Sequence, residues 1–400
     1  MRRSLLVSLL AAVCGIAIAA CGSTNSKGSS GANSAEAKVS SGATTASPGK
    51  AISAKIGLVD DVTGDLAFVG VEQQRAAKLA IADVNKTAGG VHLEAIAEDS
   101  KSEASGSVTA VEALMSNSEV SGIVGFDETE FGEAVLPLLA KAGLPTVMLQ
   151  VTVLKNRPAN VFTMAPPTSR VAKLAVEEVV VKRGVKSAGI IWVEQPTLTE
   201  AAETFKQALQ AAKVSVVADE GATLTTTNFQ SQVAKVVAAK PEAIGISGVG
   251  TQDGTILSEL REYGYHGLVF AQQAADSTIT RKVAGAAFAG LIVGTYWDEA
   301  AADASAKRFL AAYKQAYPSE PPPDVYAVEA WDAVHIMAEA MKRAGSTEKT
   351  KVVEEIAKGS FPGALQKSIS FDSSGVATLG GYVVEMTAHG TKLLASATSE

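Results

Sequence analysis

Lys55-Ile56-Gly57-Leu58-Val59 reads as one buried strand, because an apolar run this short bounded by polar residues suits a strand covered on both faces. The residues downstream of it decide the fold. Ala77, Ala80, Ile81 and Val84 recur at helical spacing, and Gly89-Gly90 breaks that helix. His92 to Ile96 reads as the next strand. A helix with Val108, Val111 and Met115 on one face leads to the strand Val120 to Val124. A helix over Glu133 to Lys141 then leads to the strand Pro145 to Leu149. The order βαβαβαβ predicts a parallel sheet with helices on both faces.

The pattern starts again further along the chain. A helix near Ser169 to Lys182 precedes the strand Ala188 to Val193, and Thr197-Leu198-Thr199-Glu200 fits a capping box. The helix it opens carries Phe205, Ala208, Leu209 and Ala212 on one face. Strands near Val214 to Val217, Ala243 to Ser247, Gly267 to Phe270 and Leu291 to Thr295 alternate with helices. Tyr326, Trp331 and Met337 belong to the core of a helix from Val325 to Lys342. The expected fold is α/β, with two Rossmann-like lobes joined by a multi-strand hinge. Ligands of such sheets sit beyond the carboxyl ends of the strands, so two facing lobes form a cleft that closes on a small molecule.

The chain has 400 residues, 47% of them hydrophobic and 19% charged, which supports a sizeable folded core and excludes wholesale disorder. A net charge of −7 and 5% aromatic residues argue against nucleic acid as a partner. Cys14 and Cys21 are the two cysteines, so no disulfide or thiolate metal site forms beyond Cys21. Four scattered histidines give no metal-ligand spacing. Gly248-Val249-Gly250-Thr251-Gln252-Asp253-Gly254 lacks the spacing and the distal acid of a dinucleotide loop. Gly245-Ile246-Ser247-Gly248-Val249 lacks the final glycine of a nucleophile elbow. No cofactor and no catalysis are expected.

The N-terminus reads as an address. Arg2 and Arg3 precede an apolar run from Leu5 to Ala20, too short and too rich in small residues for a comfortable membrane span. Ile18-Ala19-Ala20-Cys21 resembles the lipobox of bacterial lipoproteins, which implies cleavage before Cys21 and its lipidation. The alternative is a plain secretory signal cut at Ala20 or an uncleaved anchor. Gly22 to Lys50 has no apolar periodicity and reads as a tether.

From about residue 54 to 390 the chain resembles the branched-chain amino-acid substrate-binding proteins of ABC importers, the type I periplasmic-binding-protein fold. The matching stretches are Lys55–Val59 with Thr63-Gly64, Ile81-Ala82-Asp83-Val84-Asn85 with Gly89-Gly90, Glu98-Asp99-Ser100, Val124-Gly125, Ala142-Gly143-Leu144-Pro145, and Phe371-Asp372-Ser373-Ser374-Gly375. Their order and spacing, more than any one piece, carry the likeness. The expected layout is a signal at 1–20, a tether at 21–52, a first lobe at 53–167 and 296–366, and a second lobe at 168–295 and 367–400. The resemblance implies a lipid-anchored, monomeric capture subunit outside the cytoplasmic membrane that delivers a small molecule to an ABC permease. A receptor of the same fold that signals without transport is the alternative.

That family holds the ligand carboxylate on two loops of the first lobe, which fall here on Phe126 to Glu130 and Leu149 to Thr152. Thr129 and Thr152 keep hydroxyls there, with Glu128 and Gln150 beside them. Asp127, Glu128 and Glu130 stand where the family favours small hydroxyl residues, so either they turn outward or the ligand is not a simple carboxylate. In the second lobe the family's aromatic corresponds to Thr197, its polar loop to Gly248–Thr251 with Gly250, and its ammonium-binding carboxylate to Gln273. Asp276 takes that last place if the register slips. Both halves of an amino-acid clamp are altered, so an amide, polyol, aromatic or cationic solute is expected over an aliphatic amino acid. The rim acids Asp60, Asp61, Asp65, Asp127, Glu128 and Glu130 point toward a cation or a polyol, unless they are ordinary solvated loop charge. Phe68 either covers the ligand or packs on its own helix. Tyr296 and Trp297 either line the cleft mouth or pack the hinge.

Overall fold

The computed structural model describes residues 51–86, 90–152, 154–388 and 390–398. The expected signal, tether and lipidated Cys21 lie outside these residues.

The first lobe runs β1 (Ile52–Asp60), α1 (Ala67–Lys86), β2 (Val91–Asp99), α2 (Ala104–Ser116), β3 (Val120–Gly125), α3 (Thr129–Ala142), β4 (Thr146–Met148) and β5 (Val161–Thr163). The five strands pair in parallel in the order β2-β1-β3-β4-β5. Ile56, Leu58 and Val59 of β1 are fully buried, as a strand covered on both faces requires. The inward face of α2 is one residue out of phase with the expected one. Ser107, Ala110, Val111 and Leu114 are buried, and Val108 and Met115 only partly so. Gly106 explains the shift, because a Cβ there would lie 1.8 Å from the Ser100 carbonyl oxygen. The helix leans in on its small residues.

The second lobe opens with α4 (Thr168–Glu177), extended by a π-helical turn over Glu178–Lys182. It continues through β6 (Ser187–Glu194), α5 (Pro196–Ala211), β7 (Ser215–Thr223), α6 (Gln230–Ala238), β8 (Ala243–Ser247), α7 (Thr251–Glu262), β9 (Leu268–Gln272), α8 (Thr278–Ala284) and β10 (Leu291–Thr295). The capping box expected at Thr197–Glu200 is corrected. Gln195 is the N-cap, its side chain accepting from the Leu198 N–H at 3.1 Å, and Pro196 takes the first helical position. Ala212 lies past the end of α5 and is exposed, while Phe205 and Leu209 are buried.

The chain then returns to the first lobe as α9 (Ala304–Ala316), α10 (Val325–Ala344) and α11 (Lys349–Lys358), succeeded by the short ribbon β11 (Ser360–Phe361) and β12 (Ile369–Ser370). α10 lies in the core with α1 beside it, and Tyr326, Trp331 and Met337 are buried. Asp332 of α10 is also buried. Its two carboxylate oxygens accept the Ala364 and Leu365 N–H groups, both at 2.7 Å, and so hold the turn after β11. The Asp372 carboxylate holds the next turn by accepting from Ser374 and Val376, with Gly375 at φ +76°.

A last passage gives β13 (Gly381–Thr387) and β14 (Gly390–Ala397). They form an antiparallel edge on the second sheet, whose order is β14-β13-β10-β9-β8-β6-β7. The second sheet is therefore parallel across β7 to β10 and antiparallel at that edge. The chain passes between lobes after β5, after β10 and after β12. Bridge pairing of Thr163 with Val376 ties the first passage to the last.

Candidate functional site

The strands of both sheets end at the facing surfaces of the lobes, and their loops carry the candidate residues. The turn after β3 is unusually tight. Gly125 has φ +148°, and a Cβ there would lie 2.0 Å from the Val59 carbonyl oxygen. Phe126 comes next at φ +73° with its ring buried. That backbone aims Asp127 inward and Glu128 toward the other lobe.

The acidic loop therefore divides. Asp127 is buried, and its Oδ2 accepts the Asp61 N–H at 2.9 Å. Asp61 is buried too, accepting from the Ser100 hydroxyl and, at 2.9 Å, from the Ser102 N–H. Asp60 lies beside them, and its burial together with the neighbouring Asp61 pushes it up to about 8. Asp65 and Glu130 are exposed. The reading of the whole rim as solvated charge is thus corrected: Asp60, Asp61 and Asp127 are interior groups of the first lobe.

Glu128, half-buried at the N-cap of α3, accepts from the Gln195 side-chain amide at 3.0 Å. Burial and the nearby Glu130 push its carboxyl up to about 8. Thr129 and Thr152 come together, their hydroxyl oxygens 3.4 Å apart, and the Thr152 N–H donates to the Thr129 hydroxyl at 3.3 Å. Gln150 turns to the hinge. Its amide donates to the Tyr296 hydroxyl at 2.9 Å and to Glu329 of α10, and the Tyr296 hydroxyl donates to Glu329 at 2.7 Å. Glu329 is pushed up to about 8, chiefly by burial.

From the second lobe, Gly250 caps α7 with φ +57° and ψ −109°. A Cβ on it would meet the Phe68 ring at 2.9 Å and Ile279 at 3.0 Å. Phe68 thus presses on the opposite lobe as well as on its own core. Gln273 is buried in the short helical turn after β9, and its side-chain oxygen has no hydrogen-bond partner among the described residues. Asp253 accepts the Gly248 N–H at 2.8 Å through one oxygen, and burial pushes it up to about 7. Thr197 is half-buried in the first turn of α5.

A cavity of about 770 Å³ opens between the lobes. Its lining includes Phe68, Asp276, Trp297 and Asp324, but not Thr129, Thr152, Thr197, Gly250 or Gln273. Tyr296 accordingly belongs to the hinge and Trp297 to the cavity wall. Three groups escaped the sequence reading. Asp324 had a visible signal, since it comes directly after Pro321-Pro322-Pro323 and starts a helix as its N-cap. Glu329 had one too, as an acid on a helix otherwise buried along most of its length. Gln195 had none, because its partner lies on the other lobe.

Two α/β lobes joined by three chain passages, with loops meeting over a cavity, define the class of hinged solute-binding proteins. Residues 53–391 match the periplasmic binding protein family, and the chain belongs to that family. It is 24% identical over 308 residues to the Leu/Ile/Val-binding protein homolog 3 of Brucella melitensis, covering 74% of this chain and 81% of that one. Among solved structures, the LivJ branched-chain amino acid transporter substrate-binding protein of Streptococcus pneumoniae, in complex with isoleucine, superposes with a TM-score of 0.77. It is 24% identical, over 87% of this chain and 99% of that one. A solute-binding protein of an ABC transporter from Rhodopseudomonas palustris, in complex with 3,4-dihydroxybenzoic acid, superposes at 0.79 with 21% identity, over 87% and 98%. The fold is that of type I periplasmic binding proteins, and the family is one of solute-binding proteins, not enzymes. Among the described residues no helix is long and apolar enough to cross a membrane.

Proposed function

We propose that this protein captures a small solute between its lobes outside the cytoplasmic membrane and hands the closed, loaded form to an ABC permease, tethered to the membrane through a lipidated Cys21. The observation that carries the reading is the pairing of Glu128 with Gln195 from one lobe to the other, in a molecule whose lobes also enclose a 770 Å³ cavity. A solute that touches both lobes favours the closed form by its differential affinity, and no covalent step is needed. Phe68, Thr129, Thr152, Thr197, Gly250, Gln273 and Asp276 are the proposed contributors at the facing surfaces. Gln150 acts indirectly, by bracing Tyr296 and Glu329. The relatives that serve ABC transporters support delivery to a permease over signalling.

The test is transport. A strain lacking the protein should lose uptake of the solute that raises the melting temperature of the purified protein, and the restored gene should return it. Unchanged uptake in that strain refutes the delivery step.

A further inference from the structure

The cavity between the lobes is walled by five carboxylates, Glu72, Asp276, Asp298, Glu299 and Asp324, and two of them are already occupied. Glu72 is held by Tyr313 and by Arg75 at 2.9 Å. Asp298 accepts from the Ala300 N–H at 2.9 Å and the Thr391 hydroxyl at 2.6 Å. Two others are not. Asp324 of the first lobe is 8% exposed; one oxygen caps α10 at the Ala327 N–H, and Oδ2 has no hydrogen-bond partner among the described residues. Asp276 of the second lobe is half-buried, and no hydrogen bond to its carboxylate is found among the described residues. The nearest base, Arg281, attracts Asp276 but is committed elsewhere, its guanidinium 4.4 Å from the Phe288 ring centroid and donating to the Thr387 carbonyl at 3.0 Å. Lys282 is exposed. Phe68 and Trp297 supply apolar wall beside the two carboxylates.

Two incompletely satisfied acids from opposite lobes therefore line one cavity. Burial pushes Asp276 up to about 7 and Asp324 well above the usual carboxylate range, and Glu72 and Asp276 are among the charges that raise Asp324 further. A neutral or anionic solute leaves that repulsion in place. A cation between them removes it and turns it into a force for closure, and an aromatic wall favours organic cations further.

We propose that the captured solute carries an organic cation, an ammonium or guanidinium group, seated between Asp276 and Asp324 with its apolar portion against Phe68 and Trp297. The inference rests on the capture reading and adds the chemical class.

Calorimetry and thermal shift with agmatine, cadaverine and choline test it. The comparison compounds are 1,5-pentanediol, 3,3-dimethyl-1-butanol, leucine and benzoate. The variants are Asp276→Asn and Asp324→Asn; asparagine still caps a helix, so the second keeps the start of α10. At least one cation should bind well above its neutral counterpart and lose about tenfold or more in affinity in each variant. Binding of leucine, benzoate or a diol in preference to every cation, unchanged in both variants, overturns the inference and leaves capture intact. Failure of every cation to bind also overturns it. If, in addition, the protein purified from its host carries no solute in native mass spectra and none of the comparison compounds binds, the capture reading falls with it.

Discussion

The Gln195 side-chain amide donates to Glu128 across 3.0 Å, joining the start of α5 in one lobe to the start of α3 in the other. Gln195 also caps its own helix through the Leu198 N–H. One residue thus fixes a helix end with its oxygen and bridges the two lobes with its nitrogen.

Gln195→Ala should weaken solute binding about threefold to tenfold, the worth of one net hydrogen bond at a partly buried position. Small-angle scattering of the loaded variant should report a larger open fraction. Unchanged affinity and scattering would show that the pair does not latch the cleft.

Gly250→Ala puts a methyl group against the Phe68 ring at a backbone conformation that alanine resists. Solute affinity should fall about tenfold. Combining it with Phe68→Ala should cost less than the sum of the two changes, because the second removes the obstacle created by the first. Additive losses would mean that the two sites do not meet in the bound form.

Stability of the unliganded protein should fall as pH rises from about 5 to 8.5. Asp60, Glu128 and Glu329 are pushed up to about 8, and Asp253, Asp276 and Asp332 to about 7, burial leading in every case. Between the ordinary carboxylate range and these values the folded state holds more protons than the unfolded state. Stabilisation is complete at the acid end and is lost as pH climbs through 7 to 8. Melting temperature against pH checks the sign, and Glu329→Gln should flatten the slope.

Asp332→Ala strands two buried N–H groups, those of Ala364 and Leu365. A loss of about 2–4 kcal/mol in urea unfolding is expected. Solute affinity of the folded fraction should stay within about twofold, since Asp332 does not line the cavity.

Cys21→Ser should move the protein from the membrane fraction to the soluble extracytoplasmic fraction while leaving solute affinity unchanged. A variant still bound to membrane would point to an uncleaved N-terminal anchor.

Much of the alternating fold was legible because the inner strands of both lobes, β1, β3, β8 and β9 among them, are buried on two faces and announce themselves as apolar runs, Lys55–Val59 first. Helix faces were less legible where packing depends on small residues. Gly106 and Ser107 bring α2 closer than hydropathy suggests, and the expected face was displaced by one position. Pro196 moved the start of α5 ahead of the apparent capping box. The edge strand β14 has no buried residue, and β13 beside it breaks its buried positions with Tyr382, Glu385 and Thr387, so neither carries such a run. In the site, the loops could be placed from their strands, but the direction of Asp127 and Glu128 could not. Their paths are set by the positive φ at Gly125 and Phe126, which a sequence does not display.

Three passages of chain run between the lobes, and the pairing of Thr163 with Val376 fastens the first to the last. Parallel tethers joined side by side resist twisting and sliding far more than bending about the line that runs across them. The lobes are left with one soft coordinate, the angle between them. A membrane partner that touches one point on each lobe then reads that angle as a single distance, and occupancy becomes a length that can be measured from outside without contact with the solute.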